Sequence, residues 1–201
     1  MKTRTLFSFG FLFCLIVSLM ATESLQAQEN HEKGWIALFN GKDLSGWHAK
    51  FTGHAVDENF RNTFRVEEGI LKVSYDRWNC FNRVFGHLIT DQSFSHYKLH
   101  VEYRIIGEQC PGAPDWARKN NGIMLHSQSA ESMNREQNFP VSIEVQLLSG
   151  LGEGPRPTAN VCTPGTNIVM DGRLITRHCN RSSSQTYGDE WVTVEVVVKK
   201  D

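Results

Sequence analysis

No apolar run in the chain reaches the ~20 residues that a helix needs to cross a bilayer; the longest spans residues 6–20. No 3.6-residue alternation of any length follows it, which argues against a helical bundle. Neither charge sign is in excess: 21 Lys+Arg against 22 Asp+Glu leave a net charge of −1. That balance argues against broad electrostatic capture of nucleic acid or of an anionic membrane. G-x-S-x-G, H-E-x-x-H and the phosphate-binding loop are all missing, and with them the simplest routes to a serine hydrolase, a zincin or an NTPase. The five cysteines lack the C-x-x-C clustering of structural zinc sites. What remains is a chain with 16 glycines and 10% aromatic residues, the composition of a turn-rich β protein.

The N-terminus has its own logic. Lys2 and Arg4 precede the apolar run, and Ala27 supplies a small residue before Gln28. This order is that of a secretory signal peptide covering residues 1–27, leaving an exported, periplasmic or extracellular product without a membrane span. Export places Cys80, Cys110, Cys162 and Cys179 in an oxidising compartment, where three full pairings are open. Cys162 and Cys179 flank an expected hairpin turning at Asp171-Gly172, so their pairing is preferred. Cys80 and Cys110 remain either paired or free.

Strand-like alternation dominates the rest. Over residues 97–106, Tyr97, Leu99, Val101, Tyr103 and Ile105 take one face, while Lys98, His100, Glu102 and Arg104 take the other. Val192, Val194, Val196 and Val198 form a second apolar face near the end. Residues 63–66, 70–75, 87–90, 122–128, 141–148 and 167–170 read as further strands. Many short strands between Gly, Asn, Asp and Pro turns predict a β-sandwich or jelly roll. The segments 107–120 and 149–160 are long for hairpin connections, and connections of that length border sites more often than short ones do.

Two strands carry chemistry. Residues 122–128 place Met124, His126 and Gln128 on one side, and residues 141–148 place Ser142, Glu144 and Gln146 opposite Val141, Ile143, Val145 and Leu147. If these strands neighbour one another, a His, a Glu and two Gln converge on one surface. Such a group suits a general base, hydrogen bonds to sugar hydroxyls, or mixed nitrogen and oxygen ligation of a divalent transition metal by His126, Glu144 and Gln146. An ordinary solvated sheet face is the competing explanation. Arg83, His87 and Trp78 offer stacking and hydrogen bonding for a sugar, and Glu102 and Arg104 extend the list of substrate-binding candidates.

The segment Phe39-Asn40-Gly41-Lys42-Asp43-Leu44-Ser45-Gly46-Trp47 resembles the opening of the 3-keto-disaccharide hydrolase family. The resemblance continues through Phe64-Arg65-Val66-Glu67-Glu68-Gly69-Ile70-Leu71, Asn120-Asn121-Gly122-Ile123 and Ile143-Glu144-Val145-Gln146. It implies a concanavalin-like jelly-roll β-sandwich of two antiparallel sheets over residues 28–201. It also implies cleavage of 3-keto-glycosides: a base removes the C2 proton, and the C1 substituent is expelled by elimination. Glu144 and Gln146 carry over from the E-V-Q motif. His126 departs from members with Arg nearby, and it shares the catalytic expectation with Glu144. Members usually continue beyond a strand like the one at 192–198, so the resemblance implies that the last strands lie outside this sequence. A carbohydrate-binding module on the same face, or a structural β domain, would be the non-catalytic alternatives.

Overall fold

The computed structural model describes residues 34–199. The expected signal segment lies outside the described residues. Among the latter, all regular structure is β apart from two single turns of 3-10 helix at Phe60–Asn62 and Asp115–Ala117. Every ladder is antiparallel. This all-β arrangement is that of a jelly-roll sandwich. The ladders are one four-stranded sheet and five two-stranded ribbons.

The N-terminal part of the described chain builds the core. β1 (Trp47–Phe51) pairs with β4 (Gly86–Thr90), and β2 (Phe64–Glu67) pairs with β3 (Ile70–Val73). Ala49 and Phe51 on one side of β1 meet Phe64, Trp78 and Cys110, with Phe60, Phe81, Val84 and Leu88 packed around them. The Phe51 and Phe64 rings lie 5.1 Å apart. Residues on the opposite side of a strand must find other partners. Lys50 does so by sending its ammonium, nearly sealed from solvent, to the carbonyls of Phe51, His54 and Arg135 at 2.9–3.2 Å. These bonds help tie the connection between β6 (Asn120–Leu125) and β7 (Ile143–Leu148) to the turn after β1.

β5 (Tyr97–Tyr103) pairs with β14 (Val192–Val198) in the register Val192↔Tyr103 to Val198↔Tyr97. The register brings the two alternating apolar rows onto one side. The Tyr103 hydroxyl on that side lies 3.0 Å from Thr158 Oγ1.

The remaining sheet has the order β12 (Cys179–Asn180), β9 (Asn160–Cys162), β7, β6. β8 (Arg156–Pro157) pairs separately with β13 (Gln185–Thr186). Beyond the four-stranded sheet, β10 (Ile168–Met170) and β11 (Arg173–Ile175) form the expected hairpin. Its turn residues Asp171 and Gly172 have φ of 50° and 74°, as a two-residue turn matching strand twist requires. At its base Cys162 and Cys179 are joined by a disulfide. Cys80 and Cys110 are free thiols, the first exposed and the second buried.

Candidate active site

The register of the four-stranded sheet decides which side chains share a face. Met124 lies opposite Glu144 and Gly122 opposite Gln146; on the other flank Glu144 faces Cys162 and Gln146 faces Asn160. Directly paired residues point to the same side. Glu144, Gln146, Gly122, Asn160 and the disulfide therefore occupy one surface, with Glu144, Cys162 and Cys179 forming a single row across three strands.

Glu144 uses the space left by a missing side chain. It is half-buried and folds across Gly122, where an added Cβ would stand 2.7 Å from its Cγ and 2.8 Å from its Cδ. Among the described residues its carboxyl receives neither a hydrogen bond nor an ion pair. Burial without compensation disfavours the charged form, and the Glu144 carboxyl is pushed up from 4.5 to about 7.

Gln146, next on the same face, has a fixed orientation. Asn160 Nδ2 donates to Gln146 Oε1 at 3.0 Å, and Asn160 Oδ1 in turn accepts the Ser182 N–H at 3.0 Å. With its oxygen committed, Gln146 turns its amide nitrogen outward, and among the described residues that nitrogen has no partner. It borders a cleft of about 260 Å³ lined also by Asn160, Arg156, Arg177, Cys179 and Arg181.

Residues 34–201 match a family model described as a 3-keto-alpha-glucoside-1,2-lyase-like domain. The chain belongs to this family. No curated protein and no solved structure matches it.

Within this lyase-like domain, the sequence-derived candidates separate. Glu144 and Gln146 are neighbours on the site face. His126 lies one residue past the end of β6, exposed and with a left-handed φ of 49°. That turn breaks the alternation expected to run on to Gln128, and among the described residues no hydrogen bond joins His126 to Glu144 or Gln146. The Gln128 amide is occupied in bracing its own loop: Oε1 accepts from Gln137 Nε2 at 2.6 Å and from the Val141 N–H at 2.8 Å.

Other candidates are drawn into the scaffold. Trp78, expected at a sugar, is buried and donates its indole N–H to Thr63 Oγ1 at 2.8 Å, because its ring completes the aromatic core. His87 donates Nε2–H to the Asn138 carbonyl at 2.8 Å, and burial holds its pKa below the usual range. Arg83 sits exposed at a left-handed turn with φ of 60°. Glu102 points to the side of β5 opposite Tyr103 and its Thr158 contact, away from the apolar row. Arg104 stacks over the Trp191 ring at 5.0 Å. These last two are strand-edge residues of the β5–β14 ribbon rather than of the Glu144 face.

Among the described residues no three His, Cys, Asp or Glu side chains are grouped to hold a metal. That grouping does not bear on the expected set of one imidazole, one carboxylate and one amide, and the steps proposed below are assigned to side chains alone. Arg156, Arg177 and Arg181 were not anticipated as site residues. No strand period points to Arg177 and Arg181, which lie outside the two-residue β12 on either side of Cys179.

Proposed function

We propose that the chain is a 3-keto-glycoside lyase in which Glu144 is the base. The observation that carries this reading is the Glu144 carboxyl, half-buried, unpaired among the described residues and brought to about 7. A base poised near neutral pH combines a useful ionised fraction with real proton affinity. Membership of the family supplies the substrate class, a sugar with a ketone at C3.

That ketone acidifies the C2 hydrogen. Glu144 takes this proton, and the C2–H electrons form the enolate with negative charge on the C3 oxygen. The Gln146 amide N–H, turned outward by Asn160, donates to that oxygen as charge develops there. When the carbonyl reforms, the electron pair makes the C1=C2 bond and expels the C1 oxygen, which takes up a proton as the alcohol. The product is a 3-keto sugar unsaturated between C1 and C2; later addition of water across that bond makes the net reaction a hydrolysis. Paired carboxylates, as in ordinary glycosidases, are not required.

Export through the N-terminal segment and a domain starting near residue 28 complete the proposal. Among the described residues no helix is long and apolar enough to cross a membrane. The test is incubation of the protein with a 3-keto-glucoside and with the unoxidised glucoside in deuterated water. Cleavage of the first alone, deuterium at C2 of recovered substrate, and a loss of about 10²–10⁴-fold in Glu144→Gln are expected. Binding of both sugars without cleavage of either would instead identify a carbohydrate-binding module.

A further inference from the structure

Building on the lyase reading of Glu144, we propose that the cleft beside Gln146 binds an oxyanion carried by the substrate, making that substrate an acidic 3-keto-glycoside with a carboxylate or phosphate group. Arg156, Arg177 and Arg181 line this cleft, and no Asp or Glu lines it. Among the described residues none of the three arginines has an ion-pair partner. Three cations elsewhere are neutralised by a carboxylate: Arg65 pairs with Asp76 at 2.9 Å, Lys72 with Glu67 at 2.6 Å and Lys119 with Asp189 at 2.5 Å. Three permanent charges around one small space repel one another unless an anion enters.

The geometry also holds Arg156 in place and anchors the backbone between the two exposed arginines. Arg156 Nη1 donates to the carbonyls of Arg118, Lys119 and Ser149 at 2.7, 3.3 and 3.1 Å. These bonds position the group without neutralising it, and burial and the neighbouring Arg118 both disfavour its charge. Arg177 and Arg181 flank Cys179, which the disulfide fixes in the row of Glu144. A guanidinium fork matches the paired oxygens of a carboxylate or phosphate, which a neutral hydroxyl does not offer. At about 260 Å³ the cleft falls below the roughly 300–1,000 Å³ of drug-sized sites and suits one sugar-sized group. Gln146 belongs to both cleft and base, so an anion held there places the sugar against Glu144.

The test measures binding rather than turnover, by titration calorimetry of Glu144→Gln protein at low salt. The probes are methyl glucuronide, methyl glucoside 6-phosphate, neutral methyl glucoside and inorganic phosphate. None carries the ketone, so failure of the lyase reading would leave this result standing, and the reverse. At least one acidic glycoside is expected to bind about tenfold or more tightly than the neutral one. Which of the two does so tells carboxylate from phosphate. The preference should fall with added salt and vanish in Arg177→Gln/Arg181→Gln. Arg177→Lys/Arg181→Lys, which keeps the charge and removes the fork, should retain only part of it and serves if the neutral variant does not fold. Equal affinity for acidic and neutral glycosides, no binding of either, or a preference surviving both pairs of substitutions would overturn the proposal. So would inorganic phosphate binding as tightly as the phosphorylated glycoside, since the sugar would then play no part.

Discussion

Glu144 lies across the face of Gly122, in space that any larger residue at 122 would fill. An alanine Cβ there would meet Cγ and Cδ of Glu144 at 2.7 and 2.8 Å, well inside van der Waals contact. The carboxyl end is the flexible partner, so Gly122→Ala should drive it outward into water while leaving the β6–β7 ladder in place. Released from burial, Glu144 would titrate closer to its ordinary 4.5 than to about 7. The expected outcome is a rate loss of about tenfold or more, together with a fall in the lower pH limb of kcat/KM. A mutant with reduced rate but an unmoved limb would show that Gly122 does not set the environment of the base.

The same carboxyl makes activity and stability respond oppositely to pH. Activity needs the ionised form, so kcat/KM should rise with pH through about 7. For stability, the folded protein holds the Glu144 proton up to about 7 whereas the unfolded chain releases it near 4.5. The folded state binds more protons between those values, so stability falls as pH rises through that window. Glu144→Gln removes the ionisation and should be more stable than the wild type above pH ~7, by about 1–3 kcal/mol once partial solvent contact is allowed for. The two proteins should converge below ~4.5, a comparison that urea unfolding at pH 4 and pH 8 makes directly.

The parts of this arrangement legible in the sequence were those that depend on strand period alone. Alternation places Glu144 beside Gln146 and aligns Val192–Val198 as an apolar row, and the Asp171-Gly172 turn marks the hairpin between its two short runs. Where one residue's backbone departs from the strand, the reading failed. The left-handed His126 ends β6 at Leu125, and no local pattern signals that turn. β1 carries no such signal because Lys50 within it reads as a solvated residue, whereas the carbonyls of Phe51, His54 and the distant Arg135 hold it inside. Trp78 and His87 looked like sugar contacts because residue type suggests them. Their partners, Thr63 and the Asn138 carbonyl, come from elsewhere in the chain. The arginine cleft depends on β8, β9 and β12, strands of two or three residues that periodicity cannot find.

Lys50 gives a test of the scaffold independent of the chemistry. Its ammonium satisfies three carbonyls, and burial lowers its pKa from the ordinary value. Methionine keeps most of the side-chain volume but donates nothing, so Lys50→Met leaves the His54 carbonyl without its partner, while the Phe51 and Arg135 carbonyls keep the N–H groups of His54 and Gly53. A loss of about 1–3 kcal/mol follows from the cost of an unsatisfied buried polar group. The middle of the β6–β7 connection, around Arg135, should also exchange its amide hydrogens faster, a local effect that hydrogen exchange separates from general destabilisation. Unchanged stability would mean that water replaces the ammonium.

The disulfide can be tested against the two free thiols in one experiment. Cys162 and Cys179 close a loop with a sequence separation of 17, and cross-linking a loop of about that length is worth ~3 kcal/mol on chain-entropy grounds. Cys162→Ser/Cys179→Ser should be destabilised by about that amount. The damage should be centred on β12, which among the described residues is the edge strand beside β9, and hence on the Arg177 and Arg181 side of the cleft. In the native protein a thiol reagent should label exposed Cys80 and spare Cys110, which is buried and whose thiol is pushed up chiefly by that burial. Denaturation without reductant should add Cys110 alone; only reduction should release the other pair. Labelling of Cys162 or Cys179 in the unreduced, denatured protein would refute the cross-link, and with it the fixed placement of Cys179 in the row of Glu144.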